Sequence, residues 1–94
     1  MFVSALCIEF RIPSAHSLKE KRAVLRPIVD GLRHRFRVSV AEVAYHDLWQ
    51  RAAVGVAVVG ADLKHVTDLL ENCERFVDSF PEVDVFEVRQ HWLD

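Results

Sequence analysis

Nothing in this 94-residue sequence is long and greasy enough to cross a bilayer. The longest apolar runs, such as Val54–Val59, fall far short of the roughly 20 residues a spanning helix needs. Glycine and proline are scarce, three of each, and no stretch reads as a linker, so a single domain over residues 1–94 is expected. The opening Met1-Phe2-Val3-Ser4-Ala5 has neither the basic lead nor the small-residue cleavage site of a secretory signal, which makes the cytoplasm the expected location and gives no reason to expect a membrane partner. The two cysteines, Cys7 and Cys73, share no Cys-x-x-Cys spacing and read as reduced, small hydrophobes. The five histidines form no i,i+4 pair, no His-x-His and no His-Glu-x-x-His, so neither a metal nor another cofactor is expected. A Gly-rich phosphate loop, a Gly-x-Ser-x-Gly elbow and a Ser/His/Asp set are all missing. No catalytic residue can be nominated, and the expectation is a protein that is not an enzyme.

What is present is a core. Hydrophobic residues make up 51% of the chain and charged ones 28%, a balance that folds rather than stays disordered. Phe2, Leu6, Ile8, Phe10 and Ile12 recur with the period of two of a strand, which Pro13 ends. Ser17-Leu18-Lys19-Glu20 has the spacing of a capping box and starts a helix whose apolar stripe is Leu18, Leu25, Ile28, Val29, Leu32 and Phe36. Pro27 and Gly31 fit that helix poorly, and a bend near Pro27 is expected; a fresh start there is the alternative, for which Arg26 would be a poor cap. Val38–Tyr45 and Arg51–Gly60 read as a hairpin of two strands. A second helix follows Asp62, with Leu63, Val66, Leu69, Leu70, Cys73, Phe76, Val77 and Phe80 on one side. Val83–Trp92 is the last strand, with Phe86 and Val88 opposed by Glu87, Arg89 and His91.

Two strand-helix-strand units joined by a hairpin define an α+β fold with the order βαββαβ: a four-stranded antiparallel sheet carrying both helices on one face, the ferredoxin-like split βαβ architecture. The other face is left bare. On this register it holds Val3, Ala5, Cys7, Ala53, Gly55 and Ala57 in the middle, fringed by Glu9, Arg11, Glu87 and Arg89. Such an apolar patch is larger than a monomer usually leaves wet, and a homodimer through it is expected.

Ser17-Leu18-Lys19-Glu20-Lys21-Arg22, Asp47-Leu48-Trp49-Gln50-Arg51-Ala52 and Val54-Gly55-Val56-Ala57-Val58-Val59 together resemble the YlxP-like proteins, a small bacterial family of unknown function. The likeness spans nearly the whole chain. It implies a ferredoxin-like fold, a bacterial cytosolic setting and genes that often neighbour translation and ribosome-maturation factors; it implies no activity. Pro27 and Gly31 depart from the more regular first helix expected of that family.

Charge is unevenly spread. Through Arg51 there are nine basic residues against five acidic; beyond it, three against nine. Lys19, Lys21 and Arg22 crowd the opening turns of the first helix, where the positive end of the dipole disfavours cations. Either a negatively charged guest such as RNA phosphate offsets this, or Glu20 and the second helix's Glu71, Glu74 or Asp78 do. The candidate anion- or RNA-binding residues are Lys19, Lys21, Arg22 and Arg26, with Trp49 and Arg51 in the hairpin loop for stacking or docking. The bland alternative for that loop is that Leu48 and Trp49 close the core end, His46 and Asp47 make turn hydrogen bonds and Arg51 pairs across the sheet; packing on a second subunit is a third. Binding to bases in the manner of RNA-recognition motifs is excluded by the lack of aromatics on the two central strands. The functional expectation is therefore a noncatalytic binding protein with RNA or a ribosomal component as partner. The alternatives are a homodimeric interaction module without nucleic acid, and a small enzyme on a phosphorylated or acyl substrate.

Overall fold

A computed structural model describes residues 1–93. In chain order the elements are β1 (Phe2–Arg11), α1 (Leu18–Phe36), β2 (Ser39–Ala44), β3 (Arg51–Gly60), α2 (Leu63–Asp78) and β4 (Asp84–Leu93). The strands form one antiparallel sheet in the order β2-β3-β1-β4. This is the α+β ferredoxin-like arrangement that the sequence pattern predicts. One cluster joins Leu6, Ile8, Phe10, Val54 and Val56 of the sheet to Leu25, Ile28 and Leu32 of α1 and Val66, Leu70, Cys73 and Val77 of α2. The apolar residues sit two apart in the strands and three or four apart in the helices, so one side of each element is emptied of water.

Ser17 caps α1 by accepting a 3.0 Å bond from the Glu20 N–H. Glu20 reaches back one residue further than expected, to the N–H of His16 at 2.7 Å rather than to that of Ser17. The helix does not restart at Pro27 but runs unbroken from Leu18 to Phe36. Pro27 and Ala23 both lie on the exposed side, so the Ala23 carbonyl that loses its helical partner has water to replace it. Gly31 is required by packing: a Cβ there would run into the ring of Phe76, itself braced edge-to-face by Phe36 and Phe80 at 5.5 and 5.2 Å. On the opposite side of the sheet, a Cβ on Gly55 would lie 2.9 Å from Val43, which covers it.

The register places Ala5 opposite Ala57, Cys7 opposite Gly55 and Glu9 opposite Ala53, so the centre of the bare face is as predicted. Its fringe is not. In β4 the pairing slips between Glu9–Glu87 and Phe10–Val85, leaving Phe86 as an extra residue in a bulge. A bulge puts two neighbours on nearly the same side, and Phe86, expected in the core, stands exposed beside Arg11 and Arg51. Val85 takes its place against the core.

Candidate functional site

The six nominated residues do not form one surface. Lys21 belongs to the interior: it continues the inward stripe of Leu25, Ile28 and Leu32 and is 1% exposed. Its ammonium donates to the Tyr45 carbonyl at 2.7 Å and lies 3.0 Å from the Glu42 carboxylate. Glu42 points to the same side of the sheet as Val40, towards α1, and thereby ties the helix to edge strand β2. The expectation that Lys21 is open to an anion is corrected by this burial. Its partner is a strand carboxylate, not an acid of α2.

Lys19, Arg22 and Arg26 lie on the outward side of the same helix. Their spacing of three and four residues sets them in one row, and with Ala23, Pro27 and Asp30 they line a shallow open groove. Among the described residues none of the three makes a salt bridge. Glu20 is occupied by the cap, Asp30 lies 3.7 Å from Arg33, and of the acids of α2 Asp68 pairs with Lys64 at 2.6 Å and Glu71 with Arg75 at 3.8 Å, while Glu74 and Asp78 make no ion pair among the described residues. The compensation considered from α2 is not made.

Trp49 sits in the β2–β3 loop and is 50% exposed, as is Leu48 at 49%, so neither closes the core. Gln50 holds the loop instead. Its side-chain amide donates to the carbonyls of Pro13 and Ala15 at 3.2 and 3.0 Å, and its own carbonyl accepts from the Ile12 N–H at 3.0 Å. The loop is thereby fastened to the segment leading into α1, placing Trp49 and the start of α1 at the same end of the sheet.

Arg51 faces the other way. On the face without helices its guanidinium donates to Glu9 at 2.9 Å and to the Tyr45 hydroxyl at 3.0 Å, and it stacks over the Tyr45 ring at 4.0 Å. Arg89 approaches the second oxygen of Glu9 at 3.2 Å. Glu9, expected on an exposed fringe, is 2% exposed beneath these groups. Hydrogen bonding from Arg51 above all holds its carboxyl below the usual range, outweighing the opposite push of burial. Tyr45 reaches this position from a left-handed backbone, φ 62°. Glu42 and Tyr45 carry no motif in the sequence for the roles they take, and Glu9 reads there only as a fringe residue. The one available signal was an acid or lysine placed in phase with an apolar stripe, as Lys21 is with Leu25 and Glu42 with Val40.

No group of three or more His, Cys, Asp or Glu suited to a metal occurs among the described residues. Among the described residues no helix is long and apolar enough to cross a membrane. Burial pushes the Cys73 thiol up to about 11, so it stays protonated at neutral pH.

Fold and surface together define a small α+β domain of ferredoxin-like topology, with one sheet face uncovered and an unpaired basic row along the first helix. The family model described as a protein of unknown function, DUF503, matches residues 3–90, and the chain belongs to that family. It is also 40% identical over 92 residues to the uncharacterized protein YlxP of Bacillus subtilis (strain 168), covering 98% of this chain and 97% of that protein.

Proposed function

We propose that the protein is a noncatalytic binding protein of the bacterial cytosol that docks on structured RNA, free or ribosomal, through the outward row of α1. The observation that supports this is the pairing pattern. Lys19, Arg22 and Arg26 project in one row and, among the described residues, make no ion pair, whereas Lys21 is buried against Glu42. A row of cations along one helix face follows a phosphate backbone by charge, with no base readout. Filter binding of structured RNA over a salt series tests it. The triple substitution Lys19→Ala, Arg22→Ala, Arg26→Ala, which leaves Lys21 in place, is expected to weaken binding and to flatten the slope of log K against log salt by roughly 2–3. Triple-variant binding equal to wild type ends this reading.

A second reading is favoured by the bare sheet face, where Val43, Val59 and Leu93 stay exposed at 52%, 61% and 68%. It is a homodimer closing that face, and it is compatible with RNA on the helix side. Sedimentation at micromolar concentration is expected to give a dimer that Val59→Asp dissociates; a wild-type monomer removes the idea.

A further inference from the structure

We propose that the hollow where the open sheet face meets the β2–β3 loop is a nucleotide site, with Arg11 as its phosphate-binding residue and Trp49 as its stacking surface. The hollow is a shallow, open depression of ≈ 480 Å³ lined by Arg11, Asp47, Leu48, Trp49, Gln50 and Arg51, a volume within the ~300–1,000 Å³ usual for small-ligand sites. Arg11 and Arg51 are direct cross-strand partners, an arrangement of like charges that a sheet disfavours unless something offsets it. Glu9 offsets Arg51. On its other side Arg11 is paired in register with Asp84 of β4, yet it makes no ion pair among the described residues, and its guanidinium lies over the Phe86 ring, 4.9 Å from its centroid. The Phe86 bulge, which costs the core an aromatic residue, props both guanidiniums on the same side, since Arg51 also lies 5.3 Å from that ring.

The chemistry of the lining suits one class of ligand. Two adjacent guanidiniums match the oxygens of a phosphate, a half-exposed indole accepts a flat base, and the Asp47 carboxylate can accept from a base amino group or a ribose hydroxyl. Glu9 and Tyr45 fix Arg51 in advance, so little ordering is left for binding to accomplish. The site faces away from the basic row of α1 and does not depend on the RNA reading above. A free nucleotide and an unpaired nucleotide of single-stranded RNA present the same chemistry.

The test uses the full chain carrying Trp92→Phe, so that Trp49 is the sole indole. Titration with AMP, with UMP and with a single-stranded hexaribonucleotide is followed by tryptophan emission and by amide chemical shifts. Saturable quenching, with shifts centred on Arg11 and residues 47–51, is expected. Arg11→Gln should weaken it at least tenfold, whereas the Lys19, Arg22, Arg26 triple variant should leave it unchanged. Saturation by the mononucleotides assigns the site to free nucleotide; saturation by the oligonucleotide alone assigns it to RNA. No saturation by any of the three at low millimolar concentration, or binding by Arg11→Gln equal to the parent, overturns the proposal.

Discussion

The inward and outward sides of α1 both carry cations, drawn from the same run Lys19-Glu20-Lys21-Arg22, and the two sides obey different rules. Lys21 is held by a carbonyl and a carboxylate in a space closed to water. Lys19 and Arg22, one or two residues away, meet solvent and no acid. A helix turns about 100° per residue, so neighbours in sequence are strangers in space. A cluster of charge in a sequence therefore does not define a cluster of available charge. The open sheet face repeats the contrast, with Arg51 clamped to buried Glu9 and Arg11 left over.

The sharpest way to break the comparison is Lys21→Ala. Removing one member of a buried pair strands the other, and a loss of about 3 kcal/mol is expected by denaturant or thermal unfolding. A change no larger than that of Lys19→Ala would erase the distinction between the two sides.

Gly31→Ala probes the inward side without charge. Helix propensity alone predicts a gain of about 1 kcal/mol, whereas a methyl group driven into the braced Phe76 ring predicts a net loss of about 1 kcal/mol. The sign of the change in Tm decides between them.

On the sheet face the contrast is read through pH. The Glu9 carboxyl is lowered in the folded protein, so its contribution to stability is present above the ordinary value of 4.5 and is lost as pH falls through the folded value. Glu9→Gln is expected to be less stable at pH 7 and to lose less on acidification below pH 4.5, so that the two unfolding curves converge in acid. Parallel curves would mean that the carboxylate carries no folded-state advantage.

The smallest effect belongs to the outward side. Lys19→Ala, Arg22→Ala and Arg26→Ala are each expected to change stability by less than about 0.5 kcal/mol, because no partner is left behind.

How far the sequence reading reached follows from the range of the interactions involved. Alternation in β1, the Ser17 cap and the apolar spacing of α1 and α2 are local, and each marks its element to within a residue or two. Sheet order followed from the rules of connection. The fate of the charged residues did not follow, because whether Lys21 meets Glu42, or Glu9 meets Arg89, depends on segments 21 and 80 residues apart. The Phe86 bulge was hidden because two alternations compete in β4, Val83 with Val85 and Phe86 with Val88, and only the pairing against β1 decides where one gives way to the other. Val85 and Val88 pack on the core while Phe86 between them does not.

By itself, then, the sequence determined six elements, one core and a sheet with one uncovered face, because hydrophobic periodicity and capping act over a few residues at a time. Only the tertiary structure decided which cations are consumed by the fold and which remain outside. Ion pairing needs atoms within a few ångströms, and that proximity is created by the packing of α1 on β2 and the pairing of β3 and β4 with β1.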